Sequence, residues 1–217
     1  MKHYLLATLL LTYTATATGA AAQTLFKGYT NMQKADSTLA VDLMYAKPDN
    51  FVGEKMYSFS EAYLHPHAAK ALIQANRLLR ESHPGLRLII YDAARPMRVQ
   101  QKMWNKVKGT AQQNYVSNPA NGGGLHNYGL AVDVSIIDSN GDTLPMGTTV
   151  DALTHLSHID KEQELVAKGK ISAEAARNRA LLRTVMKKAG FRPLRSEWWH
   201  FNYTTRADAR ANYKAIP

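Results

Sequence analysis

The sequence contains no cysteine in its 217 residues. Disulfide bonds are therefore excluded, and so is a zinc site of the cysteine-rich structural kind, because those sites need thiolate ligands. Attachment of a lipid to a cysteine is excluded for the same reason. The fold must be held by burial of its core and by any metal ion that it binds, and histidine and carboxylate groups must supply the ligands of such an ion.

The sequence also has little that could cross a membrane. The apolar run at residues 4–11 is far shorter than the ~20 residues that a membrane-spanning helix needs. It follows Lys2 and leads into a threonine- and alanine-rich stretch that ends at Ala22, which is the order of a secretory signal. We expect a signal peptide over residues 1–22 and an exported domain over residues 23–217, located in the periplasm, with no stable membrane span after cleavage. An uncleaved anchor is the alternative.

Acidic residues are few, since the chain has 17 Asp and Glu against 27 Lys and Arg, a formal net charge of +10. A basic surface on an exported protein suits the anionic polymers of the cell envelope, and a surface that is merely solvated is the alternative. Nucleic acid is not an expected partner, because the sequence has no basic run with interleaved aromatic residues and no nucleic-acid-binding motif. No internal repeat is visible, and the 45% apolar content indicates one globular domain.

Hydrophobic periodicity predicts a mixture of strands and helices. Apolar and polar residues alternate in most of the strands, whereas the helices carry an apolar stripe at a period near 3.6. Strands are predicted over residues 38–45, 86–91, 130–136 and 197–203, helices over 65–82, 97–108 and 172–189, and a polar tail over 206–217. We expect an α+β fold in which helices pack on a mainly antiparallel sheet, in a single domain with a zinc cleft.

Residues 126–133 place an imidazole and a carboxylate on either side of a glycine. The alternation of the strand that follows buries one face and turns Asp133 toward the other, which we expect to line a cleft. Ala131 on that face leaves room for an ion, and Gly129 lets the chain fold back so that His126 can reach it. This segment therefore predicts half of a metal site.

A second imidazole and a second carboxylate occur in the segment EWWH at residues 197–200. His126, Asp133 and His200 match the three nitrogen and oxygen ligands of a catalytic zinc ion, one per chain, which leaves a fourth position for water. Glu197 beside them could take a proton from water and return it to a leaving amine. The alternative is structural, with a turn cap at His126, an arginine pair at Asp133 and an aromatic strand around Glu197 and His200.

Two further features are expected of the strand that carries this second half-site. Residues spaced by three point to opposite sides of a regular strand, so a bend or bulge should bring Glu197 and His200 to one site. The aromatic residues of the strand are expected to wall the site and lower its dielectric constant, namely Trp198, Trp199, Phe201 and Tyr203.

Arg95 follows the predicted strand at residues 86–91 and precedes Pro96, which favours extended backbone at a strand end facing the cleft. A fixed guanidinium there would stabilise the oxyanion that forms when water adds to a peptide carbonyl. An ion pair with Asp92 or another carboxylate is the alternative.

The spacing His-x-x-Gly-x-Ala-x-Asp, followed far downstream by Glu-x-Trp-His, resembles the VanX-type D-alanyl-D-alanine dipeptidases and the wider set of zinc D,D-carboxypeptidases. Three further blocks look like blocks of the dipeptidase branch: DLMYAKPDNFVG at residues 42–53, YDAARP at 91–96 and MGTTVD at 146–151. The resemblance implies that zinc lies on His126, Asp133 and His200, that Glu197 is the general base, and that Arg95 stabilises the transition state.

The same resemblance suggests two contacts with the substrate. The MGTTVD block suggests that Asp151 binds the free ammonium of a dipeptide, and a helix cap or turn is the alternative for this residue. Dipeptidases of this kind usually carry serine two residues before the first zinc histidine, whereas this chain has Gly124 there, at the end of a run of three glycines. The backbone amide of Gly124 could replace the serine hydroxyl.

The expected function is zinc-dependent hydrolysis of free D-Ala-D-Ala in the cell envelope. A carboxypeptidase or endopeptidase acting on peptidoglycan stem peptides is the first alternative, and an open groove would distinguish it from the closed pocket that a dipeptide needs. The second alternative is a non-catalytic binding module that keeps the zinc, and the presence of Glu197 argues against it.

Overall fold

A five-stranded sheet in the order β2-β4-β5-β7-β6 forms the centre of the molecule in this computed structural model, which describes residues 21–217. The strands are β1 (Thr30–Asn31), β2 (Ala40–Val41), β3 (Tyr63–Leu64), β4 (Arg87–Asp92), β5 (Ala131–Ile137), β6 (Arg192–Leu194) and β7 (Glu197–Asn202). The α-helices are α1 (Met32–Ala35), α2 (Pro66–Ser82), α3 (Met97–Val107), α4 (Glu162–Ala167), α5 (Ala173–Lys188) and α6 (Arg206–Asn212). Short 3-10 turns cover Met44–Ala46, Gln113–Tyr115, Pro119–Asn121, Leu125–Tyr128 and His155–Ser157.

The sheet is mainly antiparallel, because only the pairing of β2 with β4 is parallel among its four pairings. A separate two-stranded sheet joins β1 to β3. Helices α2 and α5 pack against each other and against the large sheet. The predicted α+β class is therefore confirmed. All seven residues of β5 are buried, and Asp133 lines a cavity, as the alternation predicted.

The long helices follow the predicted patterns. Helix α2 begins at Pro66 with a cap from the His65 side chain, and its apolar stripe is buried at Leu72 and Leu79. The hydroxyl of Ser172 accepts a hydrogen bond from the amide of Ala175 and so begins α5. The predicted helices at residues 65–82, 97–108 and 172–189 are confirmed to within a residue at each end.

Two predictions about local structure are wrong. The strand predicted over residues 38–45 is reduced to β2, because the chain turns at Met44–Ala46 and buries Tyr45. The predicted polar tail at residues 206–217 contains α6 and a buried Ile216. The backbone of Ile216 fixes this segment. The Ile216 amide donates to the Asn127 carbonyl at 2.7 Å, and the Ile216 carbonyl accepts a hydrogen bond from the Met97 amide.

Within residues 21–217 the structure has no helix that is both long and apolar enough for a membrane crossing. The predicted signal peptide at residues 1–22 lies almost wholly outside the described residues and stays a prediction.

Candidate active site

The imidazole of His126 is held by a tight turn in front of β5. It lies in the 3-10 turn Leu125–Tyr128, which ends at Gly129 with φ 64°. A Cβ at Gly129 would lie 2.6 Å from the Tyr29 ring and 3.0 Å from the His65 amide, so only glycine fits there. Nδ1 of His126 lies 2.7 Å from the Ala93 carbonyl, which assigns the proton to Nδ1 and leaves Nε2 free to bind a ligand.

Asp133 and His200 are brought together by strand register. They are direct partners in the antiparallel ladder between β5 and β7, and Oδ1 of Asp133 lies 3.0 Å from Nδ1 of His200. Nε2 of His200 lies 2.9 Å from Oδ1 of Asn202 and donates to it. The lone pair of Nδ1 is therefore free on the side of Asp133 and His126.

The three predicted ligand atoms form a compact triangle. Nε2 of His126 lies 3.2 Å from Nδ1 of His200 and 3.4 Å from Oδ1 of Asp133. Adjacent ligand atoms in a tetrahedral shell with bonds of ~2.0–2.2 Å lie roughly 3.3–3.6 Å apart. The three edges of 3.0, 3.2 and 3.4 Å are equal to or slightly shorter than this, so a small outward movement of the side chains would admit a metal ion. Burial alone would raise the pKa of Asp133, but His126 and His200 hold it well below its usual range. These three residues could therefore hold one metal ion.

Glu197 lies beside the triangle without belonging to it. Its carboxylate lies 3.9 Å from Nδ1 of His200, and within residues 21–217 it has no other ion pair. Burial raises the pKa of Glu197 to about 7; His200 opposes this shift, and the anions of Asp133 and Asp151 add to it. A carboxyl group with a pKa near neutrality can both accept and return a proton.

The predicted irregularity in the strand of Glu197 is confirmed. The pairing of β6 with β7 shifts in register between Pro193 and Leu194, whose partners are Phe201 and Glu197. The aromatic wall is only partly as predicted. Trp199 lines the site cavity, whereas Trp198, Phe201 and Tyr203 do not. The Trp198 indole instead donates to the Thr148 hydroxyl at 2.8 Å, because its side of the strand faces the core.

Arg95 forms the ion pair that was the structural alternative, and it also lies at the cavity of the metal site. It forms an ion pair with the fully buried Asp92, with Nη2 at 2.6 Å and Nε at 3.0 Å from Oδ2. A third bond runs from Nη1 to Oε1 of Gln100 at 3.0 Å. The guanidinium also lies 5.2 Å above the Tyr45 ring and 4.0 Å from the Asp133 carboxylate. The ion pair thus fixes a cation at the wall of the metal site.

Asp151 occupies a turn and points its carboxylate into the same cavity. Its φ of 68° is the only positive value among the non-glycine residues of the described chain, which marks a position of backbone strain. The carboxylate accepts hydrogen bonds from Tyr45 Oη at 2.9 Å and from the Phe51 amide at 3.3 Å. Burial raises the pKa of Asp151 to about 6. An anion in a partly desolvated turn is suited to a cationic ligand.

The connection that carries Asp151 is held at both ends by Arg179, a buried residue that the sequence did not single out. Arg179 Nε donates to the Met146 carbonyl at 2.6 Å, and Nη1 donates to the Leu156 carbonyl at 3.1 Å. The guanidinium lies 3.8 Å from Glu162 and 5.7 Å from the centre of the Trp198 ring. A single side chain from α5 therefore holds both ends of the connection that carries Asp151.

Gly124 lines the cavity, but its amide is already used. The Gly124 N–H donates to Oδ1 of Asn127 at 2.9 Å, and this bond closes the turn that carries His126. The sequence suggested that this amide could replace a serine hydroxyl, but the bond to Asn127 makes it unavailable for that role. The hydroxyl of Ser117 lies next to Gly124 instead, at 3.0 Å from the position that a Cβ would take.

All the predicted site residues line one cavity of about 650 Å³: Arg95, Gly124, His126, Asp133, Asp151, Glu197 and His200. The cavity also receives side chains that the sequence reasoning missed, namely Tyr45, Gln100, Tyr115, Ser117 and Arg206. Tyr45 lies in the DLMYAKPDNFVG block, so the block contained a signal for it, whereas nothing in the local sequence marked Ser117 or Arg206.

Comparison with known proteins agrees with this geometry. The sequence profile of a family described as D-ala-D-ala dipeptidase matches residues 27–215. A D-alanyl-D-alanine dipeptidase of Escherichia coli K12 is 34% identical over 163 residues, which are 75% of this chain and 78% of the relative. A D-alanyl-D-alanine dipeptidase of Enterococcus faecium is 27% identical over 195 residues, with 80% and 90% of the two chains covered. The metal-ligand triangle, the carboxylate beside it and these matches place the chain in the D-Ala-D-Ala dipeptidase family of metallopeptidases.

Proposed function

We propose that this protein hydrolyses D-alanyl-D-alanine to two D-alanines with one zinc ion per chain. The observation that carries the proposal is the triangle of His126, Asp133 and His200 with Glu197 at its side, in a chain of this family. Two imidazoles and one carboxylate suit zinc better than magnesium or calcium, which favour all-oxygen sites. When bound, the zinc ion would supply Lewis acidity that activates both a water molecule and the peptide carbonyl.

Glu197 performs the proton transfers in this proposal. It accepts a proton from the attacking water and then returns it to the nitrogen of the leaving D-alanine. Burial of the Glu197 carboxylate raises its pKa, which strengthens it as the acceptor of the water proton. The cleavage is complete once the amine is protonated, since a neutral amine leaves far more readily than an amide anion.

Arg95 stabilises the negative charge that develops on the peptide oxygen. Its guanidinium is fixed by Asp92 and Gln100, so it needs little reorganisation when the charge appears. Asp151 binds the free ammonium of the dipeptide with Tyr45 orienting its carboxylate. A free D-Ala-D-Ala carries an ammonium on the residue before the scissile bond, whereas a stem peptide that ends in D-Ala-D-Ala continues the chain at that nitrogen.

The remaining parts of the proposal concern the setting of the enzyme. The signal-like sequence at residues 1–22 supports export, and the formal charge of +10 supports work near anionic polymers of the envelope. We place the enzyme in the periplasm, where D-Ala-D-Ala or a related peptidoglycan-derived peptide is the partner of the site.

The test is hydrolysis by the purified, zinc-loaded protein of three substrates: D-Ala-D-Ala, L-Ala-L-Ala and N-acetyl-D-Ala-D-Ala. We expect alanine release from the free D,D-dipeptide alone, because the acetyl group removes the charge that Asp151 binds. Equal cleavage of the acetylated compound would favour a carboxypeptidase that acts on stem peptides. Cleavage of none of the three, with zinc bound, would favour a non-catalytic binding module.

A further inference from the structure

A free dipeptide carries a carboxylate as well as an ammonium, and the cavity contains a cation positioned for it. We propose that Arg206 and Ser117 bind the carboxylate of the dipeptide, an inference that rests on the proposed function. Arg206 and Ser117 both line the cavity of about 650 Å³ that contains the metal-ligand triangle and Asp151.

The guanidinium of Arg206 is oriented but not neutralised. Its Nη2 donates to the Ser117 hydroxyl at 3.0 Å. Within residues 21–217 no carboxylate forms an ion pair with Arg206. A guanidinium has five N–H donors in a planar fork, so the bond to Ser117 leaves donors free for a carboxylate ligand.

The hydroxyl of Ser117 occupies space that a side chain at position 124 would need. A Cβ at Gly124 would lie 3.0 Å from Ser117 Oγ and 3.3 Å from Ser117 Cβ, so the absence of a side chain at Gly124 admits the serine. The Gly124 amide is bonded to Asn127. Ser117, seven residues before Gly124, thus supplies the hydroxyl that Gly124 cannot.

Ser117 is tied to the reaction centre through Gln100. The buried Gln100 side chain accepts a hydrogen bond from Arg95 at 3.0 Å and donates to the Ser117 carbonyl at 2.7 Å. A loop residue would otherwise have a variable position, but this bridge fixes Ser117 relative to Arg95. The substrate carboxylate can therefore be held at a defined distance from the group that meets the peptide oxygen.

The two charged ends of the substrate then have separate partners. Asp151 is bonded to Tyr45 and Phe51, whereas Arg206 is bonded to Ser117, so the anion and the cation of the site are held by different partners and form no ion pair with each other. Arg192 is a second cation in the cavity, but no described residue bonds its side chain in a fixed position. Arg192 is therefore a matched control for charge alone.

The experiment compares D-Ala-D-Ala with its C-terminal amide, D-Ala-D-alaninamide, in the full-length zinc-loaded protein. We expect Arg206→Gln to lower kcat/KM for the free acid by roughly tenfold or more through KM, because a charge-assisted bond is lost. The amide has no carboxylate, so kcat/KM for the amide should stay within about twofold. Ser117→Ala should act in the same direction with a smaller loss, and Arg206→Lys should recover part of it.

Arg192→Gln should leave the ratio of the two substrates unchanged. If the amide is not turned over, its inhibition constant against D-Ala-D-Ala replaces its kcat/KM in the comparison. An equal loss for both substrates in Arg206→Gln, or no loss for either, overturns the carboxylate role while leaving the dipeptidase activity established by the unmutated protein. Absence of hydrolysis by the unmutated protein removes the proposed function itself, and the carboxylate site with it.

Discussion

Asp133 and His200 face each other directly across the β5–β7 ladder, with Oδ1 of Asp133 at 3.0 Å from Nδ1 of His200. Because the register of the sheet sets this pair, a shift of one residue would turn one partner to the opposite face and separate the two ligands. The third ligand, His126, depends instead on the turn that ends at Gly129. The site therefore has one part that the sheet fixes and one part that a loop fixes.

Each of the three ligands should be needed for zinc. We expect His126→Ala, Asp133→Ala and His200→Ala to lose the metal ion, because three protein ligands leave no redundancy. The measurement is zinc per chain by atomic absorption after dialysis. His155→Ala is the control, since His155 is exposed and far from the triangle in the sequence, and it should keep its zinc. Full zinc in all three ligand variants would contradict the assignment.

Glu197→Gln separates the role of a base from that of a ligand. The amide is similar in shape but cannot accept the proton of water, so we expect near-full zinc, normal folding and a loss of kcat of roughly 10²–10⁴-fold. A phosphinate analogue of the tetrahedral state should still bind. Hydrolysis at the unmutated rate would remove the proposed mechanism, and loss of zinc would make Glu197 a ligand.

Arg95→Ala should affect both rate and stability. We expect kcat to fall by roughly a hundredfold or more with zinc retained, because the contact to the oxyanion is lost. Removal of the cation also leaves Asp92 buried without its ion-pair partner, so the free energy of unfolding should fall by about 3–5 kcal/mol.

The loss of stability in Arg95→Ala can be reversed without reversing the loss of kcat. Adding Asp92→Asn to Arg95→Ala removes the buried charge, so urea denaturation should show recovered stability while kcat stays low. Recovery of kcat together with stability would show that Arg95 acts only through its ion pair.

Asp151→Asn should make the protein more stable than the unmutated protein at high pH but not at low pH. Burial raises the pKa of Asp151 from its ordinary value of 3.8 to about 6 in the folded protein, so folding favours the protonated form. Below pH 3.8 the Asp151 carboxyl is neutral in both the folded and the unfolded state, so the variant is not more stable than the unmutated protein. As the pH rises from 3.8 through 6, the free energy of unfolding of the unmutated protein should fall by about 1–3 kcal/mol relative to that of Asp151→Asn. Urea denaturation at pH 4 and pH 8 measures this difference.

Substrate binding by the unmutated protein should improve as the pH rises, whereas its stability falls. The ammonium of the dipeptide needs the ionised carboxylate, so KM of the unmutated protein should rise as the pH falls below about 6, with zinc kept in excess. KM of Asp151→Asn should be higher at pH 7.5 and should change less with pH. A parallel pH dependence in both proteins would assign the titration to another group.

Gly129→Ala should weaken the fold and the metal site together. An added Cβ would meet the Tyr29 ring at 2.6 Å and the His65 amide at 3.0 Å, and φ is positive. We expect a loss of unfolding free energy on the order of 1–3 kcal/mol and weaker zinc binding. Gly141→Ala is the matched control, because its φ is also positive but nothing lies within 4 Å. Equal losses of unfolding free energy in the two variants would show that the positive φ alone, and not the contact with Tyr29 and His65, accounts for the effect.

Much of the metal site could be predicted because each half lies within one short segment. His126 and Asp133 are placed by a turn and a strand that follow each other, and local periodicity describes both. The bond from Tyr45 to Asp151 joins residues 106 positions apart, and that from Arg206 to Ser117 joins residues 89 apart. Such pairs depend on how loops pack together, which alternation and helical periodicity do not describe.

The failed prediction at residues 38–45 has the same origin. Its alternation is real, but the carbonyl of Tyr45 accepts hydrogen bonds from the amides of Met56 and Tyr57, and this long-range pairing outweighs the preference for a longer strand. The predicted tail was wrong because one apolar residue, Ile216, is enough to anchor the segment when backbone partners are present.

The anchoring of Ile216 also sets an order of events during biosynthesis. A ribosome completes Met97 and the His126 turn long before it reaches the residue whose backbone bonds to Met97 and Asn127. The nascent chain can form β4, α3 and β5 early, but the turn that carries His126 lacks the backbone hydrogen bond from Ile216 until translation has passed that residue. A chain that ends prematurely after β7 would carry every metal ligand and still hold one of them loosely.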